Sequence, residues 1–176
     1  MLTVEQEFTI QASEASGKSL EAFMNVFLQS WLFSAGFSIS KDCEGALDVQ
    51  KGTVVDANLG GLLWILQTVD RPAGLIEYIM DPKTNLGDGP VLKSCRGEIN
   101  VTETDEAQHT FCVVWKVEFE LDTLLVVTSL GVTRLTTKEM FRTLIRKDME
   151  RVEQGARSEK PVIKAKEHCL ISSECE

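Results

Sequence analysis

Asp148 is the residue whose type and spacing raise the sharpest chemical question. It stands four residues after Leu144 and four before Val152, on the apolar side of a helical pattern. A carboxylate buried there must find a partner or hold its proton more tightly. It could then bond a ligand hydroxyl or serve as a general acid or base. The alternative is a carboxylate at the edge of the stripe, in water or paired with a nearby arginine. Both readings stay open on the sequence. His109 opens a strand-like run and could act as a base. The only other histidine, His168, falls in the C-terminal stretch. A histidine metal site or a Ser-His-Asp triad therefore has little material, and His109 reads better as a strand-end residue.

The five cysteines, Cys43, Cys95, Cys112, Cys169 and Cys175, form no C-x-x-C pair and no zinc spacing. They read as reduced thiols, with Cys95 and Cys112 as small buried hydrophobes in strands. No metal and no other cofactor is expected. Gly60-Gly61 and Gly87-Asp88-Gly89-Pro90 could be hinged loops over a pocket mouth or ordinary hairpin turns. Neither matches a nucleotide-binding glycine fingerprint.

The elements that must position these residues follow from periodicity. Leu2, Val4, Phe8 and Ile10 alternate with polar residues, which predicts a strand with one buried face. Leu20, Phe23, Met24, Phe27, Leu28 and Trp31 recur at helical spacing, with Ser19 as N-cap and Gly36 as stop. The aromatic stripe of this helix, Phe23, Phe27 and Trp31, reads as core packing on a sheet. From Phe37 to Gly52 the signal is weak and irregular structure is expected. Strands are predicted at 53–57, 62–69, 75–80 and 91–104, separated by breaks rich in Gly, Pro and Asn. Breaks this short favour antiparallel neighbours. The clearest strand is 109–121, with Phe111, Val113, Trp115, Val117, Phe119 and Leu121 on one face. Residues 123–134 fit a strand or a helix. Thr136 and Glu139 have capping-box spacing, which predicts a helix from there to about Ala156.

The chain has 176 residues, 43% of them hydrophobic and 26% charged, which suits one globular domain over 1–157. Residues 158–176 hold Pro161, several charges and little periodicity, and are expected to form a disordered tail. The net charge of -9 argues against a nucleic-acid partner. No apolar run approaches the ~20 residues of a membrane span. The start, MLTVEQEFTI, has no basic region ahead of an apolar one, so a cytoplasmic protein is expected.

The order of strand, helix, antiparallel strands and long C-terminal helix implies an α+β layer architecture. It also resembles the SRPBCC or START-like helix-grip superfamily, which includes the birch pollen allergen and polyketide cyclases. The resemblance is carried by Lys51-Gly52-Thr53-Val54-Val55, by 62–70, by Leu75-Ile76-Glu77-Tyr78-Ile79, by Gly97-Glu98-Ile99-Asn100-Val101, by 113–119 and by the helical 140–149. It implies a curved antiparallel sheet wrapped around the C-terminal helix, with a shorter helical segment after the first strand. It also implies an apolar pocket between sheet and helix. Strand parity and helical spacing then name Trp64, Tyr78, Trp115, Phe119, Met140, Leu144 and Asp148 as its lining, or else as ordinary core. Some family members hold an acidic residue near the position of Trp64, and an indole cannot do that residue's work. The expected function is to bind or carry a small hydrophobic (lipid-like) ligand. The alternatives are a cyclase- or lyase-type enzyme using the same pocket, with Asp148 as the weak catalytic candidate, and an interaction module with a filled core.

Overall fold

The computed structural model describes residues 1–35, 37–40, 43–56, 63–80, 92–121 and 132–158. The chain begins with strand β1 (Leu2–Gln11), a single turn α1 (Glu14–Gly17) and helix α2 (Leu20–Leu28), which runs on into a π-helical turn, Gln29–Phe33. Strand β2 (Ser38–Ile39), a 3-10 turn (Ala46–Asp48), β3 (Val54–Asp56), β4 (Leu63–Asp70), β5 (Leu75–Met80), β6 (Leu92–Asp105) and β7 (Thr110–Leu121) follow. Helix α3 (Val132–Arg157) is the last described element.

The strands form one antiparallel sheet in the order β1-β7-β6-β5-β4-β3-β2. Each strand from β2 to β7 pairs with its neighbour in sequence, and β1 closes on β7, so the first strand lies beside the last. Bulges interrupt the register between Leu66 and Thr68, Leu92 and Ser94, and Glu103 and Asp105. Such insertions bend a strand and tighten its twist.

The alternation predicted for 109–121 is present. Phe111, Val113, Trp115, Val117, Phe119 and Leu121 are buried, while the intervening residues are half-buried or exposed. Ser19 caps α2 by accepting from the Ala22 amide. Its stripe, Phe23, Met24, Phe27, Leu28 and Trp31, is buried against the sheet. The weak region after Phe37 resolves into β2 and the 3-10 turn, which Arg71 ties to α2. Its guanidinium donates to Asn25 Oδ1 at 2.8 Å and to the carbonyls of Ala46 and Val49 at 2.6 and 2.8 Å.

Two expectations are corrected. Helix α3 begins at Val132, not at Thr136. The Thr136–Glu139 spacing is also an ordinary i,i+3 spacing inside a helix, and exposed Leu135 gives no apolar signal ahead of it. His109 does not open β7. It is the last turn residue before it, at φ 50°, and its ring Nδ1 lies 3.0 Å from the Gly17 carbonyl. The proposed helix stop at Gly36, both glycine-rich loops, residues 123–131, His168, Cys169, Cys175 and the expected tail from 159 on lie outside the described residues.

Candidate functional site

The inner face of the sheet presents its side chains in rows set by the register. One row runs Val55, Trp64, Met80, Cys95, Phe119. The next runs Leu66, Tyr78, Gly97, Val117, Val4. A third runs Ile76, Ile99, Trp115, Gln6. Trp64, Tyr78, Trp115 and Phe119 are thus brought to one buried face, as strand parity requires.

Trp31, on the π-helical turn, is the hub of this face. Its ring centroid lies 5.6 Å from Trp64, 5.6 Å from Tyr78 and 5.2 Å from Trp115. Trp64 and Tyr78 stack on each other, also at 5.6 Å, with 25° between their planes. Phe37 meets Trp64 edge-on, and Phe27 flanks Trp31 and Trp115. A π-turn shifts the phase of the helix by about one residue, and such turns recur at functional sites. The sequence marked Trp31 only as core. No signal short of the π-turn itself would have singled it out.

Helix α3 covers the face with Thr137, Phe141, Ile145, Asp148, Met149, Val152 and Ala156, all buried. Phe141 packs on Phe119 with centroids 4.8 Å apart. Met140 and Leu144 lie at the margin of this stripe, half-buried. Asp148 joins the two readings of the sequence: its residue is 5% exposed, and its Oδ1 accepts from Arg151 Nη1 at 2.5 Å. Burial pushes its carboxyl up to about 6, against the opposing pull of Arg151 and of the Trp31 indole N–H. Trp31 Nε1 lies close enough to exert that pull but makes no hydrogen bond of normal geometry.

Tyr78 is held by Trp115, whose Nε1–H donates to its hydroxyl at 2.9 Å. Burial raises the Tyr78 hydroxyl pKa, with smaller contributions from Cys95 and Asp148, so the phenol stays neutral. Burial likewise pushes the Cys95 thiol up to about 12, which makes it inert. His109 is remote from this face, in the β6–β7 turn.

The outer face of the same strands is different in kind. A shallow depression of about 230 Å³ lies among Gln67, Glu77, Ile79, Arg96, Lys116 and Glu118. Its charges compensate one another: Glu118 pairs with Arg96 and Lys116. Lys116 and Arg96 hold the Glu118 carboxyl below its ordinary range. The described residues contain no cluster of side chains suited to a metal ion. No helix among them is long and apolar enough to cross a membrane.

A seven-stranded antiparallel sheet gripping a long C-terminal helix, with a short helix after the first strand, matches solved structures over most of the chain. The chain has the helix-grip fold. A protein from Nitrosospira multiformis superposes with a TM-score of 0.58 at 18% identity, over 90% of this chain and 98% of that one. Norcoclaurine synthase from Thalictrum flavum, in complex with dopamine and hydroxybenzaldehyde, gives 0.57 at 15%, over 89% and 88%. The Zhui aromatase/cyclase from Streptomyces sp. R1128 gives 0.51 at 15%, over 88% and 90%. At these identities the likeness concerns the helix-grip fold alone. No family model matches the chain, and no curated protein matches it by sequence.

Proposed function

We propose that this helix-grip protein binds a small hydrophobic molecule between the inner face of its sheet and α3. The observation that carries the reading is the group of Trp31, Trp64, Tyr78 and Trp115 rings, gathered on one buried face with the Asp148 carboxylate beside it. Flat aromatic faces with a few placed polar groups are what small-molecule sites use. Desolvating the ligand supplies affinity, at roughly 25 cal/mol per Å² of apolar area before ordering costs. Half-buried Met140 and Leu144 form the margin of the site on α3, and Asp148 orients the ligand. Supporting the reading, a synthase holding two small aromatic molecules and an aromatase/cyclase share the fold. The thiols Cys43, Cys95 and Cys112 are all free, which fits a reducing, cytoplasmic setting.

Titration with a fluorescent hydrophobic probe tests the proposal. Saturable binding is expected, abolished by Leu144→Trp and only weakened by Asp148→Asn. Probe binding that ignores Leu144→Trp in a folded protein would contradict it.

Asp148 favours one second reading, an enzyme that moves a proton on a bound apolar substrate. A buried carboxyl titrating near 6 is poised for such a transfer. Under that reading Asp148→Asn abolishes turnover and leaves binding intact.

A further inference from the structure

The buried face is rich in hydrogen-bond donors that the described residues do not use. Trp64 Nε1–H, at a residue 4% exposed, has no partner among the described residues. Trp31 Nε1–H, at a fully buried residue, has none of normal geometry but lies against the Asp148 carboxylate. The Tyr78 hydroxyl accepts from Trp115 and donates to no described residue. These three rings form a triangle with all centroid separations at 5.6 Å. Gln6 Oε1 is also unpartnered, but β1 and β5 flank β7 and β6 in the sheet, so it lies on the other side of Trp115 from Tyr78.

A buried donor without an acceptor costs about as much as a lost hydrogen bond, and native interiors rarely leave one. The Trp31 N–H faces the Asp148 carboxylate and the Tyr78 hydroxyl already holds Trp115, so it is the Trp64 N–H, with the Tyr78 hydroxyl proton beside it, that calls for an acceptor from outside the described residues. The Asp148 carboxylate beside Trp31 and the electron-rich ring faces disfavour a second negative charge there. A flat neutral molecule whose oxygen carries lone pairs and no proton fits both demands.

We infer that the ligand of this interior is a neutral conjugated carbonyl compound, bound with its oxygen accepting from Trp64 Nε1–H and the Tyr78 hydroxyl. This rests on the ligand-binding reading above and adds the chemical class. It makes Trp64 and Tyr78 specificity-determining residues, in that a ligand of the same shape without the oxygen leaves their donors unpartnered.

Two isosteric probes separate the claims. 2-Acetylnaphthalene carries a ketone where 2-isopropenylnaphthalene carries a methylene, at nearly equal shape. Calorimetry or displacement of a fluorescent reporter should show the ketone about tenfold tighter, the ratio one buried hydrogen bond supports. Trp64→Phe keeps a ring and removes one of the two donors, and should narrow the ketone's advantage to about threefold. The anion 2-naphthoate should bind more weakly than the ketone at pH 7.5. Equal affinity of the two isosteres for the unmodified protein would mean that ordered water serves the donors, and would overturn this inference while leaving the pocket. Tighter binding of the naphthoate would overturn it too. If neither isostere binds, the pocket reading falls and this inference falls with it. The unmodified protein decides the matter even if the variant does not fold.

Discussion

Trp115 on β7 reaches Tyr78 on β5 by a 2.9 Å hydrogen bond that passes over β6 at Gly97. Gly97 is the register partner of Tyr78, and a Cβ there would come within 2.0 Å of the Tyr78 Cζ. The missing side chain lets the phenol lie flat across the strand. Gly97→Ala should therefore push Tyr78 away from Trp115 and cost roughly 2–4 kcal/mol, an overpacking penalty plus a broken buried bond. Urea midpoints of the two proteins check it.

Tyr78→Phe keeps the ring and deletes the oxygen. It leaves the Trp115 N–H buried without an acceptor, so a loss of about 1–3 kcal/mol is expected. Tyr78→Phe with Trp115→Phe should cost less than the sum of the two single changes, because the double variant orphans no donor. Denaturation of the four proteins gives the coupling.

Asp148 makes stability depend on pH in a defined direction. Its folded pKa, about 6, stands above the ordinary aspartate value of 3.8. Between those values the folded chain holds more protons than the unfolded one, so stability falls as pH rises. The contribution is fully present below the unfolded pKa and is lost as pH passes through about 6. Its size is on the order of 3 kcal/mol. Asp148→Asn removes this dependence. The stability of the unmodified protein minus that of the variant should therefore decline from pH 4 to pH 7, and a rise over that window would refute the account.

Much of this was legible in the sequence because one face of the sheet is fully buried and the other is not. Period two then identified β1 and β7, and parity placed Trp64, Tyr78, Trp115 and Phe119 together. Helical spacing put Asp148 on the covered side of α3, and its pairing with Arg151 is an i,i+3 relation that the same spacing allows. Three features were not legible. The π-turn that sets Trp31 among the sheet aromatics depends on tertiary packing. Met140 and Leu144 lie only at the stripe's edge, because its axis follows Phe141, Ile145, Asp148 and Val152. The lack of a partner for Trp64 Nε1 among the described residues is a property of three-dimensional neighbours and has no sequence mark.

Gly155 is a second close approach, between α3 and the π-turn. A Cβ there would strike Ser30 Oγ. Gly155→Ala should destabilise the protein by about 1–3 kcal/mol despite the higher helix propensity of alanine. In a Ser30→Ala background the Oγ clash is gone and only the Cβ of residue 30, 3.1 Å away, still crowds the new methyl, so the same change should cost less, within about 1 kcal/mol of neutral. A full penalty in both backgrounds would show that the two residues are not in contact.

The most direct test of the central claim is native mass spectrometry of the purified protein, with solvent extraction of whatever it carries and a titration of the emptied protein with a fluorescent hydrophobic probe. A stoichiometric apolar passenger, or one saturable probe site in the emptied protein, is the predicted result. A protein that arrives empty and takes up no probe would contradict it, and would mean that the Trp31, Trp64, Tyr78 and Trp115 rings are a filled core.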